Sequence, residues 1–502
     1  MKYIRRDDLD INTRITIAIQ ALACQNVYGA RTALAEKYEI SRTFLYQLLN
    51  SAFSCLTELF SAESRESPPF NRLDTNKNIV SLRLAGKVSI GNISKILELN
   101  HYPHHSTGLI SENLTEIGNL LPSQLQSECV QKLSIISDEL YSIGHPILIS
   151  IEPKSTAILN IQLASNCQAD TWDKHFKEIE NANYKIVDMC SDRGTGIMAG
   201  FQSACPNQAW FSDHFHEFRD LQKLGTTLER QAYAAIKFEH HRQLVWEGAR
   251  STENKEKQRL LLELATQECN LKIQLYQHVT DILALLFPSL YFFDLQNGKL
   301  RDAEQVKCNL LTLMDWLDEL DYPVLQIETA AIRNHLDGIC NCYKKAEAIY
   351  KNLAIHFSTE ILDFVGLAWQ NDHQSAQCKG DKQRYYQAES QFWLSGAEFL
   401  LQKENAQSII AQVFATFNDL IRSSSLIEMV NSLIRPYLNS CKGQITQAHL
   451  NLIMFYHNHH RYNSKKRNGK APIEILNGKP LQKNWLELLF DTVEKNRQLL
   501  VA

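Results

Sequence analysis

Three apolar runs with short joints, KLSIISDELYSI (132–143), HPILISIEP (145–153) and TAILNIQLA (156–164), decide how the chain is read. Each is rich in Ile and Leu, and Gly144 and Pro153 punctuate the joints, so they read as buried strands in an antiparallel meander. Working outward, TWDKHFKEIENA (171–182) has helical spacing and YKIVDMCSD (184–192) is a further apolar strand. A short helix then runs through GIMAGFQSA (196–204), and AWFSDHF (209–215) reads as a last strand. The expectation is an α/β core over 130–216 with element order βββαβαβ.

Two acids in this core stand out. Asp138 lies inside an otherwise apolar strand, where an unpaired carboxylate is costly to bury, so a metal ion or a cationic partner is expected beside it. Its neighbour Glu139 points to the opposite face. Asp192 ends the fourth strand and is followed by Arg193 and Gly194, where a loop can open. Three residues apart at the end of the last strand, Asp213 and His216 form a further polar pair in SDHFHEF (212–218).

From 217 to 403 the pattern is helical throughout, as in EKQRLLLELATQECNLKIQLYQHVTDILALL, which predicts an all-α insertion of roughly 190 residues. Its Trp246, Trp316, Trp369 and Trp393 are read as core. Helical periodicity continues over 404–460. In SSSLIEMVNSLIRPYL (423–438), Glu428, Asn431 and Arg435 share one helix face, so carboxylate, amide and guanidinium can address one ligand. The tail, 461–502, follows. From Ile421 onward there are 12 Lys and Arg against 5 Asp and Glu, including Lys465, Lys466, Arg467 and Lys470, although the whole chain carries a formal charge of only −4. A local phosphate-binding patch is expected there.

The element order resembles that of ribonuclease-H-like cores. The stretch around Glu428 resembles the last catalytic helix of DDE transposases, with Asn three and Arg seven residues after the acid. FYHNHHRYNSKKRNGKAPIEILNGKP (455–480) is similar to the tail that follows that helix in transposases of prokaryotic insertion sequences. Asp213 and His216 resemble the Asp/Cys-x-x-His signature of several transposase superfamilies with an insertion before the final Glu. The resemblance implies that Asp138, Asp192 and Glu428 are catalytic and hold two Mg²⁺ ions, with Mn²⁺ as a substitute. It further implies strand cleavage at transposon ends and transfer of the resulting 3′ hydroxyl to target DNA. Asp213, His216 and Asn431 would be accessory, and Arg435, Lys465, Lys466 and Arg467 would contact DNA. Synapsis of two ends implies a homodimer or higher oligomer, with the helical insertion as a dimerisation or DNA-end-clamping surface. Two other classes remain open: a transposase-derived DNA-binding regulator without catalysis, and a ribonuclease-H-like nuclease without strand transfer.

Upstream, residues 12–51 read as three helices with a tight turn, from Ile15, Ala18, Ile19 and Leu22, then Leu34 and Tyr38, then Leu45 and Leu48. Ile40 plugs the turn and Ser41 caps the next helix. Arg42, Thr43, Tyr46, Gln47 and Asn50 are left on the face for DNA, a helix-turn-helix pattern filling 1–61. A Ser/Glu/Pro-rich linker (62–75) leads to a second such unit over 76–129, with Ser89 capping its middle helix. Tandem units of this kind resemble the paired end-binding regions of many transposases.

The fold class expected overall is α+β and multidomain. No run of about 18 apolar residues occurs and the first residues, MKYIRRDDLDINTR, are polar, so a cytoplasmic protein is expected. The 12 cysteines lack paired CxxC spacing and read as reduced thiols. HYPHH (101–105) and HNHHR (457–461) lack zinc-site spacing and read as loop or phosphate-facing histidines.

Overall fold

A computed structural model describes residues 9–24, 26–60, 72–402, 405–421, 423–463, 467 and 469–501. The protein is α+β and mostly helical, with one five-stranded sheet. It divides into two compact units, 1–74 and 75–502. No helix among the described residues is long and apolar enough to cross a membrane.

The first unit packs α1 (Ile11–Ala23), α2 (Ala30–Lys37) and α3 (Arg42–Phe60) around Ile17, Ala21, Leu34, Ala35, Ile40, Leu45 and Leu49. Ile40 fills the turn, and Ser41 Oγ accepts from the Phe44 N–H at 3.1 Å. The buried stripe of α1 differs from the expected one, since Ile15 and Ile19 are exposed. Isoleucines occur on both sides of this helix, and the core takes Ile17 with small Ala18 and Ala21.

The second unit opens with α4 (Arg72–Leu84), α5 (Ile90–Leu99) and α6 (Thr107–Asn119), the last two capped by Ser89 and Ser106. These helices do not stand apart. Ile79, Val80, Ile93, Leu97, Ile110, Leu114 and Ile117 share one core with strand residues Ile136, Ile147, Ile149 and Ile161. Periodicity revealed the buried face of each helix but not its partner.

The sheet comprises β1 (Gln131–Ser142), β2 (His145–Ile151), β3 (Ile158–Leu163), β4 (Tyr184–Ser191) and β5 (Ala209–Ser212), with α7 (Ala169–Asn181) and α8 (Thr195–Ala204) between the later strands. Its order is β3-β2-β1-β4-β5. β1 is antiparallel to β2 and β2 to β3, whereas β1, β4 and β5 run parallel. One face packs on α7 and α8 through Trp172, Phe176, Ile179 and Phe201.

The other face receives α17 (Ser425–Ser440) and α18 (Gln447–His459), followed by α19 (Pro472–Asn477) and α20 (Trp485–Val501). Residues 448–458 of α18 are buried on every side. Side-chain amides of this helix satisfy the outer edge of β3: Gln447 accepts from Leu163 N–H (2.7 Å) and donates to Ile161 O (2.9 Å), and Asn458 likewise brackets both polar groups of Ile158 (2.8 Å each). An exposed strand edge is thereby covered. Close approach to α6 requires Gly118, where a Cβ would stand 2.2 Å from Ala448 O.

Between β5 and α17 lies the helical excursion: α9 (His214–Glu247), α10 (Thr252–Ser289), α11 (Ala303–Asp318), α12 (Pro323–Asn334), α13 (Leu336–Ala354), α14 (Thr359–Gln377), α15 (Asp381–Leu401) and α16 (Ala406–Phe417). Its core includes Ile410, Val413, Phe417 and Leu420, so it runs past the expected boundary at 403. Helix α13 docks it on the sheet. Gly338 lies flat against Trp210, Asn341 donates to Trp210 O (3.0 Å), and Lys345 Nζ reaches Asp188 (2.7 Å) and Ser134 (3.0 Å).

Candidate active site

Strand register brings the first two acids together. The parallel pairing of β1 with β4 ends at Ile136↔Cys190, and Asp138 and Asp192 each lie two residues further on. Two residues restore the same face of a strand, so both carboxylates leave neighbouring strands on one side. Burial, and next the charge of Asp192, push Asp138 up to about 6. The same causes push Glu139 up to about 7. Glu139 leaves the opposite face of β1, yet close to the strand end its carboxylate still feels Asp192. Among the described residues no Lys or Arg pairs with these three acids.

The third contribution comes from α17. Asn431, 2 % exposed, donates from Nδ2 to Asp138 Oδ2 at 2.7 Å. Glu428 lies one turn earlier on the same face, and its side chain is 54 % exposed. Its Oε1 is 3.7 Å from His216 Nε2, and the other ring nitrogen of His216, Nδ1, is 2.8 Å from Asp213 Oδ2. The hydrogen bond with Asp213 raises His216 above its ordinary value.

Asp213 is the hub of this arrangement. It is fully buried, follows β5 directly and caps α9 by accepting from the Phe215 N–H (2.7 Å). It also accepts from the Ser424 N–H (2.8 Å) and the Ser424 hydroxyl. Burial alone would raise its pKa, but the bonds from His216 and Ser424 outweigh that and hold it below the usual carboxylate range. One carboxylate therefore joins the two roots of the helical excursion, 211 residues apart.

No family model and no curated protein matches the chain.

Among the described residues no three His, Cys, Asp or Glu side chains form a closed metal cage. The donor set nevertheless suits a hard divalent cation. It consists of carboxylate and amide oxygens, and the buried Asn431 Oδ1 and Glu139 Oε2 have no hydrogen-bond partner. Like charges gathered with no Lys or Arg paired to them among the described residues, beside unpaired oxygens, are what Mg²⁺ or Mn²⁺ would compensate.

The remaining expected residues fall into three groups. Arg42, Thr43, Tyr46, Gln47 and Asn50 are all exposed on α3, and Arg31 lies over the Tyr46 ring at 5.4 Å. Arg435 is exposed on α17. Lys465 and Lys466 lie outside the described residues. Arg467 is a correction: it is 7 % exposed, donates to Thr156 Oγ1 at 2.7 Å and stacks 4.2 Å from the Tyr462 ring, so it holds the tail to the core instead of facing phosphate. The histidines of 457–461 also differ from the expected loop or phosphate-facing positions. His457 is buried between Thr156 O and Tyr462 Oη, and burial pushes it down to about 3. His459 and His460 stack on Phe455 and Tyr456. Ser424 was not singled out by sequence, because a Ser preceding a helix reads as a cap and nothing local points to Asp213.

Proposed function

We propose that the chain is a DDE-type DNA transposase whose core is ribonuclease-H-like and whose first unit is a helix-turn-helix reader of DNA. The reading rests chiefly on one observation. In a sheet of order β3-β2-β1-β4-β5, Asp138 on β1 and Asp192 at the end of β4 share a face, and Asp138 is met by Asn431 from the helix that also carries Glu428. That is the order in which a ribonuclease-H-like core presents its acids.

Asp138, Asp192 and Glu428 would hold two Mg²⁺ ions, which when bound supply Lewis-acid activation of the attacking and leaving oxygens of the phosphodiester. Asn431 orients Asp138, and His216 holds the exposed Glu428 carboxylate toward the sheet edge. Arg435, exposed two turns beyond Glu428, is set for a DNA phosphate. Arg42, Thr43, Tyr46 and Gln47 on α3 face the base edges of the terminal repeats. Substrates are the element's inverted repeats and target DNA, and two ends call for at least two copies of the chain.

Strand cleavage on a duplex carrying the element's terminal repeats tests this, with Mg²⁺ and with Asp192→Asn in parallel. Metal-dependent nicking that Asp192→Asn abolishes is expected. Equal cutting by both proteins, or cutting in EDTA, would falsify the reading.

A further inference from the structure

The sheet face that carries Asp138 and Asp192 holds a second polar pair nearer its other end. Ser134 on β1 and Asp188 on β4 are register partners, and each lies four residues before the acid on its own strand, so all four side chains share one face. Four residues of strand span about 13 Å, which sets this pair apart from the carboxylate site. Over it lies a cavity of about 830 Å³, walled by the sheet, α13, α14, α19 and the chain leading into α17. A volume of that order suits a small molecule bound whole.

The walls are apolar and partly aromatic, with Leu133, Val187, Phe292, Ile349 and Trp369 among them. Polar groups gather at the floor. Lys345 from α13 donates to Asp188 Oδ2 at 2.7 Å and to Ser134 Oγ at 3.0 Å, and its ammonium lies 5.4 Å from the centre of the Phe211 ring. This arrangement leaves two groups over. Asp188 is 6 % exposed, yet its Oδ1 accepts from no group among the described residues. Ser134 Oγ accepts from Lys345, and none of the described residues takes the hydroxyl proton. A buried acceptor beside a hydroxyl donor matches a molecule that presents a donor next to an acceptor, as the hydrogen-bonding edge of a nucleobase does. A flat ring also fits the aromatic wall made by Phe292 and Trp369.

Charge selects the form of that molecule. Among the lining residues Lys132, Lys154 and Lys345 are balanced by Glu152, Asp188 and Asp419, so the cavity carries no net positive charge to hold a phosphate. We propose that this cavity binds a free, uncharged nucleoside, its base edge on Asp188 and Ser134 and its ribose toward the exposed Lys132 and Lys154 at the mouth. The nucleoside site stands whether or not the distant carboxylates cut DNA.

Isothermal titration calorimetry of the full chain, in EDTA and without DNA, tests the proposal with adenosine, guanosine, cytidine and uridine, and with ribose as the control that lacks a base. At least one nucleoside is expected to bind with a Kd of about 100 μM or tighter, its 5′-monophosphate no more tightly, and ribose not at all. Asp188→Asn replaces the open acceptor by a donor, and Ala376→Trp fills the cavity from an exposed position on α14; each should weaken that binding about tenfold or more. Ala376→Trp leaves the Lys345 and Asp188 pair intact, so it reports on the cavity even if Asp188→Asn folds poorly. Absence of binding by all four nucleosides overturns the proposal, as does ribose binding equally well. Tighter binding of the monophosphate, or indifference to Ala376→Trp or to a folded Asp188→Asn, also overturns it.

Discussion

Replacing Asp192 by Asn should stabilise the metal-free protein while abolishing its proposed chemistry. Asp138 rises from 3.8 to about 6 and Glu139 from 4.5 to about 7, with the charge of Asp192 the second cause in both after burial. At 1.36 kcal/mol per unit the two shifts together represent about 6 kcal/mol, and the smaller part owed to Asp192 about 1–2 kcal/mol. Because both folded pKa values lie above their unfolded ones, the associated stability is fully present below about pH 4. It is lost as pH rises through about 6 and then about 7. Asn at 192 returns part of that loss above pH 7 and nothing at pH 4, and its Oδ1 can still accept from the Gly194 N–H. In a chain of this size the gain corresponds to a Tm increase of about 1–3 °C. Calorimetry of both proteins in EDTA at the two pH values measures it directly. Adding Mg²⁺ should reverse the ranking, since only wild type binds the ion well and gains by mass action. An Asp192→Asn protein no more stable than wild type at alkaline pH in EDTA, or equally stabilised at pH 4, would refute the picture of mutually repelling carboxylates at this site.

Four further outcomes are expected. Gly118→Ala drives a Cβ against the Ala448 carbonyl, and a loss of about 3 kcal/mol or more should appear as poor soluble yield and a lowered Tm. Asp213→Asn turns a buried acceptor of five hydrogen bonds partly into a donor; unfolding stability should fall by about 2–4 kcal/mol and strand cleavage should fall with it, whereas Ser424→Ala should cost only about 1 kcal/mol. Arg42→Ala/Gln47→Ala removes two exposed groups, so DNA affinity and its salt dependence should drop in a gel-shift assay while stability stays within about 0.5 kcal/mol. Arg467→Ala should do the opposite, lowering Tm and leaving the salt dependence unchanged, because its guanidinium is bonded to Thr156.

Local order was legible where a few neighbouring residues decide it. Runs such as HPILISI can only be buried strands, and Ser41 and Ser89 announce helix starts that the structure contains. Asp138 and Asp192 are neighbours because parallel strands of equal hydrophobic phase place them so. What periodicity leaves open is the identity of the partner. Helices α4 to α6 look like any amphipathic trio, yet their apolar faces complete the core of the sheet. Helix α16 lies beyond the expected end of the insertion at 403, yet its apolar residues face the excursion. The basic tail illustrates a second limit. A run of Lys and Arg is read as solvated, but Arg467 is flat enough to stack on Tyr462 and still reach a hydroxyl, so it is buried with no carboxylate partner among the described residues. Glu139 shows a third. Alternation assigns it to the far face, yet it still feels the charge of Asp192 at the end of the neighbouring strand.

The amide groups that cover β3 have a consequence for biosynthesis. Leu163 finds its acceptor in Gln447, 284 residues later, and Ile158 finds both of its partners in Asn458, 300 residues later. At ribosomal rates of about 5–20 residues per second, the strand waits roughly 15 s to a minute between its own emergence and that of its cover. Throughout that interval the nascent sheet leaves Ile158, the Ile161 carbonyl and the Leu163 amide of this margin unpaired, with only Ser123 and Leu125 alongside its middle. Ribosome-bound chains halted before Gln447 should therefore be the aggregation-prone species, and a holdase acting on that intermediate, more than on the finished protein, should set the yield.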